Sequence, residues 1–273
     1  MMAAGVHTLM DWFSILFYLA CVAYVVFALY TLLLNPKGAM NIVFFAVCTA
    51  TALWAFAFAM GNVATGTEDA FFWRRVATFG WGPMYSFLLH FFLLLTERHR
   101  LLKNKWTYGF IYVPSLINIV VFSLYEPLAK TQYNMVQIAT GWINLAPKGL
   151  WDTYFNIYYI AFTLLVLLAL WSWGKGATDV KKKRTALMIS MTYVLSFGIG
   201  TLTDVIMNAY FDFKMPQLGV VFALITILGI YLAIKRHGLM VSKSNITAKE
   251  GEQIGKQTRI QLFRYVSGIF IAG

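Results

Sequence analysis

The chain has 273 residues, of which 60% are hydrophobic, 17% aromatic and only 12% charged. Soluble domains are about 45–50% apolar and about 25% charged, so a soluble enzyme and a disordered chain are both excluded. The formal net charge of +11 does not require a nucleic-acid partner, because the cations sit in short loops between long apolar runs.

A multi-pass membrane protein remains. The hydrocarbon core of a bilayer needs roughly 20 apolar residues of helix. The runs here are too long and too uniformly apolar for the ~10-residue strands of a barrel. The expected fold is all-α, a seven-transmembrane helix bundle with spans near 10–34, 41–60, 76–95, 106–124, 154–173, 186–209 and 218–234. Turn-forming residues punctuate them, including Asn35-Pro36-Lys37-Gly38, Gly61-Asn62, Pro127, Pro147-Lys148-Gly149 and Pro216. Pro83 and Pro114 fall inside the third and fourth spans, where each permits a kink. The first apolar run lacks a basic leader and is longer than the core of a signal peptide, so it is expected to stay as a span.

The longest connection, 125–153, alternates apolar and polar residues around Thr140-Gly141, which predicts a small extracellular β-hairpin between helices 4 and 5. Trp142 and Trp151 there are read either as anchors at the membrane interface or as parts of a lid over an outward-facing cavity. Beyond the seventh span, 241–273 is expected to be a cytoplasmic connector. Its apolar return at 260–273 would begin an eighth membrane helix or an amphipathic linker helix.

Lys and Arg give the orientation. Seventeen lie in one set of loops and tails and five in the other. The positive-inside rule then puts the N-terminus outside and the C-terminus in the cytoplasm, and the basic balance reflects topology and anionic membrane lipid.

Asp204 in the sixth span and His90 in the third are the clear ionisable residues within the apolar runs. Each belongs to a row at i+4 spacing: Thr192, Ser196, Gly200, Asp204 and Asn208; and Thr78, Gly82, Ser86 and His90. Small and hydroxyl residues at this spacing ordinarily serve membrane helix packing. An intramembrane Asp, costing about 2.5–3.5 kcal/mol on insertion scales, points instead to a wet or ligand-lined interior. Depth separates the two: Asp204 lies in the outer half and His90 in the inner half.

By depth, the candidate ligand-binding set is Asp204, Asn208, Trp81, Tyr85, Trp54, Asn118, Asn156 and Tyr159, with Arg74 or Arg75 at the rim, Arg75 being the one assigned. Aromatics with a few polar groups are what a small-ligand pocket is made of. Cys21 and Cys48 make neither a disulfide framework nor metal spacing. No catalytic residue, metal or cofactor is expected. The seventh span has no Schiff-base lysine, Glu97-Arg98-His99 lacks the companions of the eukaryotic seven-helix receptors, and no protease or phosphate-binding motif is present.

Taken together and in order, several local features resemble the N-terminal seven-helix region of bacterial sensor histidine kinases, also found ahead of diguanylate cyclase outputs. They are Ala52-Leu-Trp-Ala-Phe-Ala57; Phe72-Trp-Arg-Arg75 leading to Gly82-Pro83; the long fourth connection ahead of Tyr154–Tyr159; Lys181-Lys-Lys-Arg184; Met215-Pro-Gln-Leu-Gly219; and Ala233-Ile-Lys-Arg-His-Gly-Leu-Met240. The resemblance spans about residues 10–240. It implies a sensor domain (1–240) of a two-component or related system in the bacterial plasma membrane. Such a domain detects a small ligand, lipid or membrane state and passes it through helices 6 and 7 to a cytoplasmic output. Sensor kinases generally act as dimers, so a homodimer joins membrane lipid, a small ligand and the output domain among the expected partners. No phosphoacceptor histidine box or nucleotide-binding lid is found in the sequence. The competing expectation is a small transporter, or a subunit of a membrane complex, using Asp204 and His90 on a substrate or proton path.

Overall fold

Breaker residues divide the apolar runs into helices. The computed structural model describes residues 2–237, together with Met240 and Ile260. The first helix, α1 (Met2–Leu34), stops two residues before Pro36, in keeping with the poor fit of a pre-proline residue to helical backbone. Gly38, in extended conformation, starts α2 (Ala39–Asn62). Gly66 starts α3 (Thr67–Leu95), where Glu68 and Asp69 in the first turn complement the helix dipole.

The third helix is longer than the expected span and takes Arg74 and Arg75 into its first turns. It ends where Glu97 adopts a left-handed φ of 61°, which an ordinary side chain rarely does. Asn104 then accepts a bond from the Trp106 N–H at 3.0 Å and caps α4 (Lys105–Ile119). A π-helical turn, Val120–Leu124, continues α4. After the connection come α5 (Leu150–Lys175) and α6 (Val180–Thr201), the latter capped by Asp179. A second π-helical turn, Leu202–Ile206, and the short helix Met207–Tyr210 extend α6, and α7 (Gly219–His237) follows. Pro83 and Pro114 both lie within continuous helices.

Among the described residues, six helices are long and apolar enough to cross a membrane, α1 to α6 with its extension. The segment expected as the seventh span is the shorter apolar helix Gly219–Lys235 within α7. Large apolar side chains such as Trp12, Leu19, Leu168 and Met191 face outward, as lipid-facing residues do. Phe44, Phe91, Phe92, Val166, Ile189 and Ile230 fill the interior. Among the described residues the ion pairs Arg75–Glu126, Lys130–Glu126 and Lys182–Glu97 involve side chains near helix ends.

The connection between α4 and α5 carries a short helix, Glu126–Gln132, and a two-stranded antiparallel sheet, β1 (Met135–Ile138) with β2 (Gly141–Asn144). Val136 pairs with Ile143 and Ile138 with Gly141. The sheet is bolted onto the bundle. The Trp142 indole N–H donates to the Ala64 carbonyl at 2.8 Å, and its ring packs with Met10 and Ala70. Trp142 is thus buried with its polar edge used by protein backbone, which speaks against the interfacial-anchor alternative for it. Gly141 has φ 127° and fits directly over Asn62, so no side chain is accommodated there. The expected connector at 241–273 lies outside the described residues, apart from Ile260.

Candidate functional site

A cavity of about 770 Å³ penetrates the bundle from the end that carries the sheet, within the range of ordinary small-ligand sites. Helices α2, α3, α5, α6 and α7 contribute its walls, and residues 144–148 line its mouth. Of the residues expected from depth, Asp204, Asn208, Trp81, Tyr85, Trp54, Asn156 and Tyr159 all line it. The fold therefore brings together residues that lie more than 150 positions apart in the chain.

Two expected members are elsewhere. Asn118 is fully buried between α3 and α4, its Cβ against Gly82, and neither amide atom has a hydrogen-bond partner. Arg75 turns away from the cavity. Its Nε donates to the Ser123 carbonyl at 2.9 Å and its Nη1 to Glu126 at 3.1 Å, closing the carbonyl end of α4. The neighbouring Arg74 lines the cavity instead. Consecutive helical residues point about 100° apart, and here that rotation turns Arg74 toward the cavity and Arg75 toward the end of α4. Arg74 is buried, donates to the Trp142 carbonyl at 2.6 Å, and stacks its guanidinium on Phe58 at 3.9 Å.

Asp204 sits in the π-helical turn of α6. Such turns are frequent at functional positions because they re-aim a side chain. Its Oδ1 accepts from the Gly219 N–H at 2.8 Å and from the Thr203 hydroxyl at 2.9 Å. The carboxylate therefore caps the first turn of α7 from another helix, where unsatisfied N–H groups and the dipole favour a negative charge. Gly219 is the residue that permits this approach, since a Cβ there would lie 2.4 Å from Asp204 Oδ2.

Asn208 is committed to structure. Its Nδ2 donates to the Thr203 and Met215 carbonyls at 3.0 and 3.1 Å, and its Oδ1 accepts from the Met215 N–H at 2.9 Å. This fixes the loop that leads into α7. Thr192 and Gly200, from the same row, pack against Gly229 and Gly219 of α7, as the helix-packing expectation has it.

The aromatic walls interlock. Trp81 meets Phe155 edge-on at 4.8 Å and Phe122 at 5.3 Å, and Tyr159 lies 5.5 Å from Phe197. Deeper in, Tyr158 bonds Ser86 at 2.9 Å and the Gly82 carbonyl at 3.1 Å. His90 is outside the lining. Its Nδ1 is 2.7 Å from the Tyr112 hydroxyl, facing α4. Tyr133, in the connection, spans Thr78 at 2.9 Å and the Phe122 carbonyl at 3.1 Å, and burial pushes its phenol above the ordinary value. Among the described residues no group of three or more His, Cys, Asp or Glu is gathered for a metal.

Residues that sequence reasoning missed include Gln217 and Ser196, which also line the cavity. Ser196 stood in the i+4 row, and that row was the available signal. Gln217 stood within Met215-Pro-Gln-Leu-Gly219 but was not singled out for the cavity; its carbonyl oxygen accepts from the Asn144 N–H at 3.0 Å and ties the sheet to the loop before α7.

A search of curated proteins finds no match. A family model described as the N-terminal 7TM region of histidine kinase matches residues 14–245, a stretch that takes in every cavity-lining residue. The chain thus belongs to the family of N-terminal 7TM regions of histidine kinases, membrane sensor regions of signal-transduction proteins.

Proposed function

We propose that the chain is the ligand-sensing domain of a bacterial plasma-membrane signalling protein. It crosses the bilayer seven times, with its N-terminus outside, and its last helix passes the signal to a cytoplasmic output. Residues 1–240 form the sensor and 241–273 the connector. The observation that carries this reading is the joint between Asp204 and Gly219. One carboxylate both lines the cavity and caps the helix that leads toward the output. A ligand entering the cavity competes for, or reinforces, that carboxylate. It biases α7 only through different affinity for two arrangements of α6 against α7.

The transporter reading needs Asp204 and His90 on one path. The bond of His90 to Tyr112, away from the cavity lining, gives it no support.

The test is Asp204→Asn in the full-length protein, with output activity and thermal stability measured together. The amide keeps the shape and loses the charge at the helix start, where such charges are worth about 0.3–2 kcal/mol. The expected result is a folded protein whose basal output is shifted and whose response to signal is weakened. Output and response identical to wild type would remove the joint from the mechanism.

A further inference from the structure

Among the described residues, four charged ones line the cavity, and their needs are met unequally. Asp204 accepts from Gly219 and Thr203, and Asp152 accepts from the Asn156 amide at 3.2 Å. Lys148 stands exposed at the mouth.

Arg74 differs from all three. It is 8% exposed, and its guanidinium carries five N–H groups. Among the described residues it donates one hydrogen bond, to the Trp142 carbonyl, and its flat side rests on Phe58. None of the ion pairs in the described structure includes it. A buried cation left with unspent donors is costly unless an anion or polar group meets them, and the cavity is where such a group has room.

The shape of the cavity adds to this. Arg74, Trp81, Tyr85 and Leu88 all line it, at intervals of seven, four and three residues along one face of α3. At 1.5 Å per residue this stripe is about 21 Å long. It is cationic at the end near the sheet and apolar at the other, with Trp54 and Phe155 lining the same space.

We infer that Arg74 is the anchor for an oxyanion carried on an elongated apolar body, a carboxylate or phosphate monoester of an amphiphile, whose tail runs down α3 toward Leu88. This rests on the reading of the cavity as the sensor's ligand site. Arg suits the role because its fork meets two oxygens at once, which the point charge of a lysine does not. The same headgroup chemistry belongs to a free amphiphile and to an anionic lipid.

The experiment titrates the full-length protein, in phosphatidylcholine nanodiscs, with octanoate, octyl phosphate, octanol and octylamine. Binding is followed by tryptophan fluorescence, since Trp54 and Trp81 line the cavity. Octanoate and octyl phosphate are expected to saturate at concentrations at least about tenfold below octanol and octylamine, the discrimination one good charged hydrogen-bonding contact provides. Arg74→Gln loses that preference, Arg74→Lys keeps part of it, and Arg75→Gln keeps all of it. Octanol binding as tightly as octanoate to wild type overturns the anchor without any variant having to fold. Full affinity for octanoate in a folded Arg74→Gln does the same.

Native mass spectrometry of protein taken from membranes separates the sources. An anionic lipid retained by wild type and lost from Arg74→Gln supports the anchor with lipid as occupant, and octanoate binding without such a lipid supports it with a free amphiphile. If the headgroup preference is absent while Asp204→Asn still alters output, the anchor is wrong and the sensing reading stands. If octanoate binds through Arg74 while Asp204→Asn leaves output and response unchanged, the anchor stands and the sensing reading falls.

Discussion

Helices α2 and α3 form one kind of contact, and α6 and α7 another. In α3, 67% of the most apolar stretch is buried, against 28% in α6 and its extension. At Gly80 the two early helices meet backbone to backbone: a Cβ would lie 2.4 Å from the Ala50 carbonyl and 2.6 Å from the Trp54 nitrogen. The α6–α7 contact also relies on glycine, but a Cβ at Gly219 or Gly229 would first meet the side chains of Asp204 or Thr192. The α6–α7 backbones also approach at Gly200, where a Cβ would lie 3.3 Å from the Gly219 Cα, but less closely than at Gly80. Because side chains re-orient where tightly meshed backbones do not, we read the first pair as the frame and the second as the pair open to rearrangement. The cavity lies between them, with Arg74 on the frame and Asp204 on the other side.

The largest expected effect tests the frame. Gly80→Ala forces α2 and α3 apart and is expected to cost about 3 kcal/mol, the upper part of the overpacking range. Thermal unfolding of the purified protein measures it, and a melting temperature unchanged from wild type would show that the frame is not rigid there.

An intermediate effect tests the other pair. The Tyr24 hydroxyl donates to the Val220 carbonyl at 2.6 Å, pinning the start of α7 to α1. Tyr24→Phe removes that bond at a cost of about 1 kcal/mol. Output activity is expected to move more than the melting point does, since the bond restrains the helix proposed to shift. A protein destabilised with unaltered output would separate α7 from signalling.

The smallest effect belongs to the exposed rim of the frame. Lys130, by hydrogen bond and charge, and then Arg75 hold the Glu126 carboxyl below its ordinary value of 4.5. A lowered folded value means the contribution is present above the unfolded value and fades as pH falls through the folded one. Wild type and Glu126→Gln should therefore differ slightly in melting temperature near neutrality and converge on acidification. A gap that widens with acid would contradict the assignment. Because the pair is exposed, the difference is expected to shrink in high salt as well.

Much of this architecture was legible beforehand. The hydrophobic runs, their breakers and the 125–153 connection anticipate the helices and the small sheet, because insertion of backbone into lipid leaves few alternatives. Depth along each run was also legible, and it placed seven of nine expected residues in the cavity wall. Depth says nothing about azimuth. Asn118 has the right depth on the wrong face, and Arg75 the right position one residue out of phase with the inward face.

Composition and periodicity alone settled that the chain belongs in a membrane and that Asp204 needs a polar setting, since both follow from the cost of taking charge and backbone out of water. Which arginine meets the cavity, what the aspartate bonds to, and which helix pair is held backbone to backbone were decided by packing. Those depend on how each helix is rotated against its neighbours, and that rotation is fixed by contacts between residues far apart in the chain, such as Gly80 with Ala50 and Asp204 with Gly219.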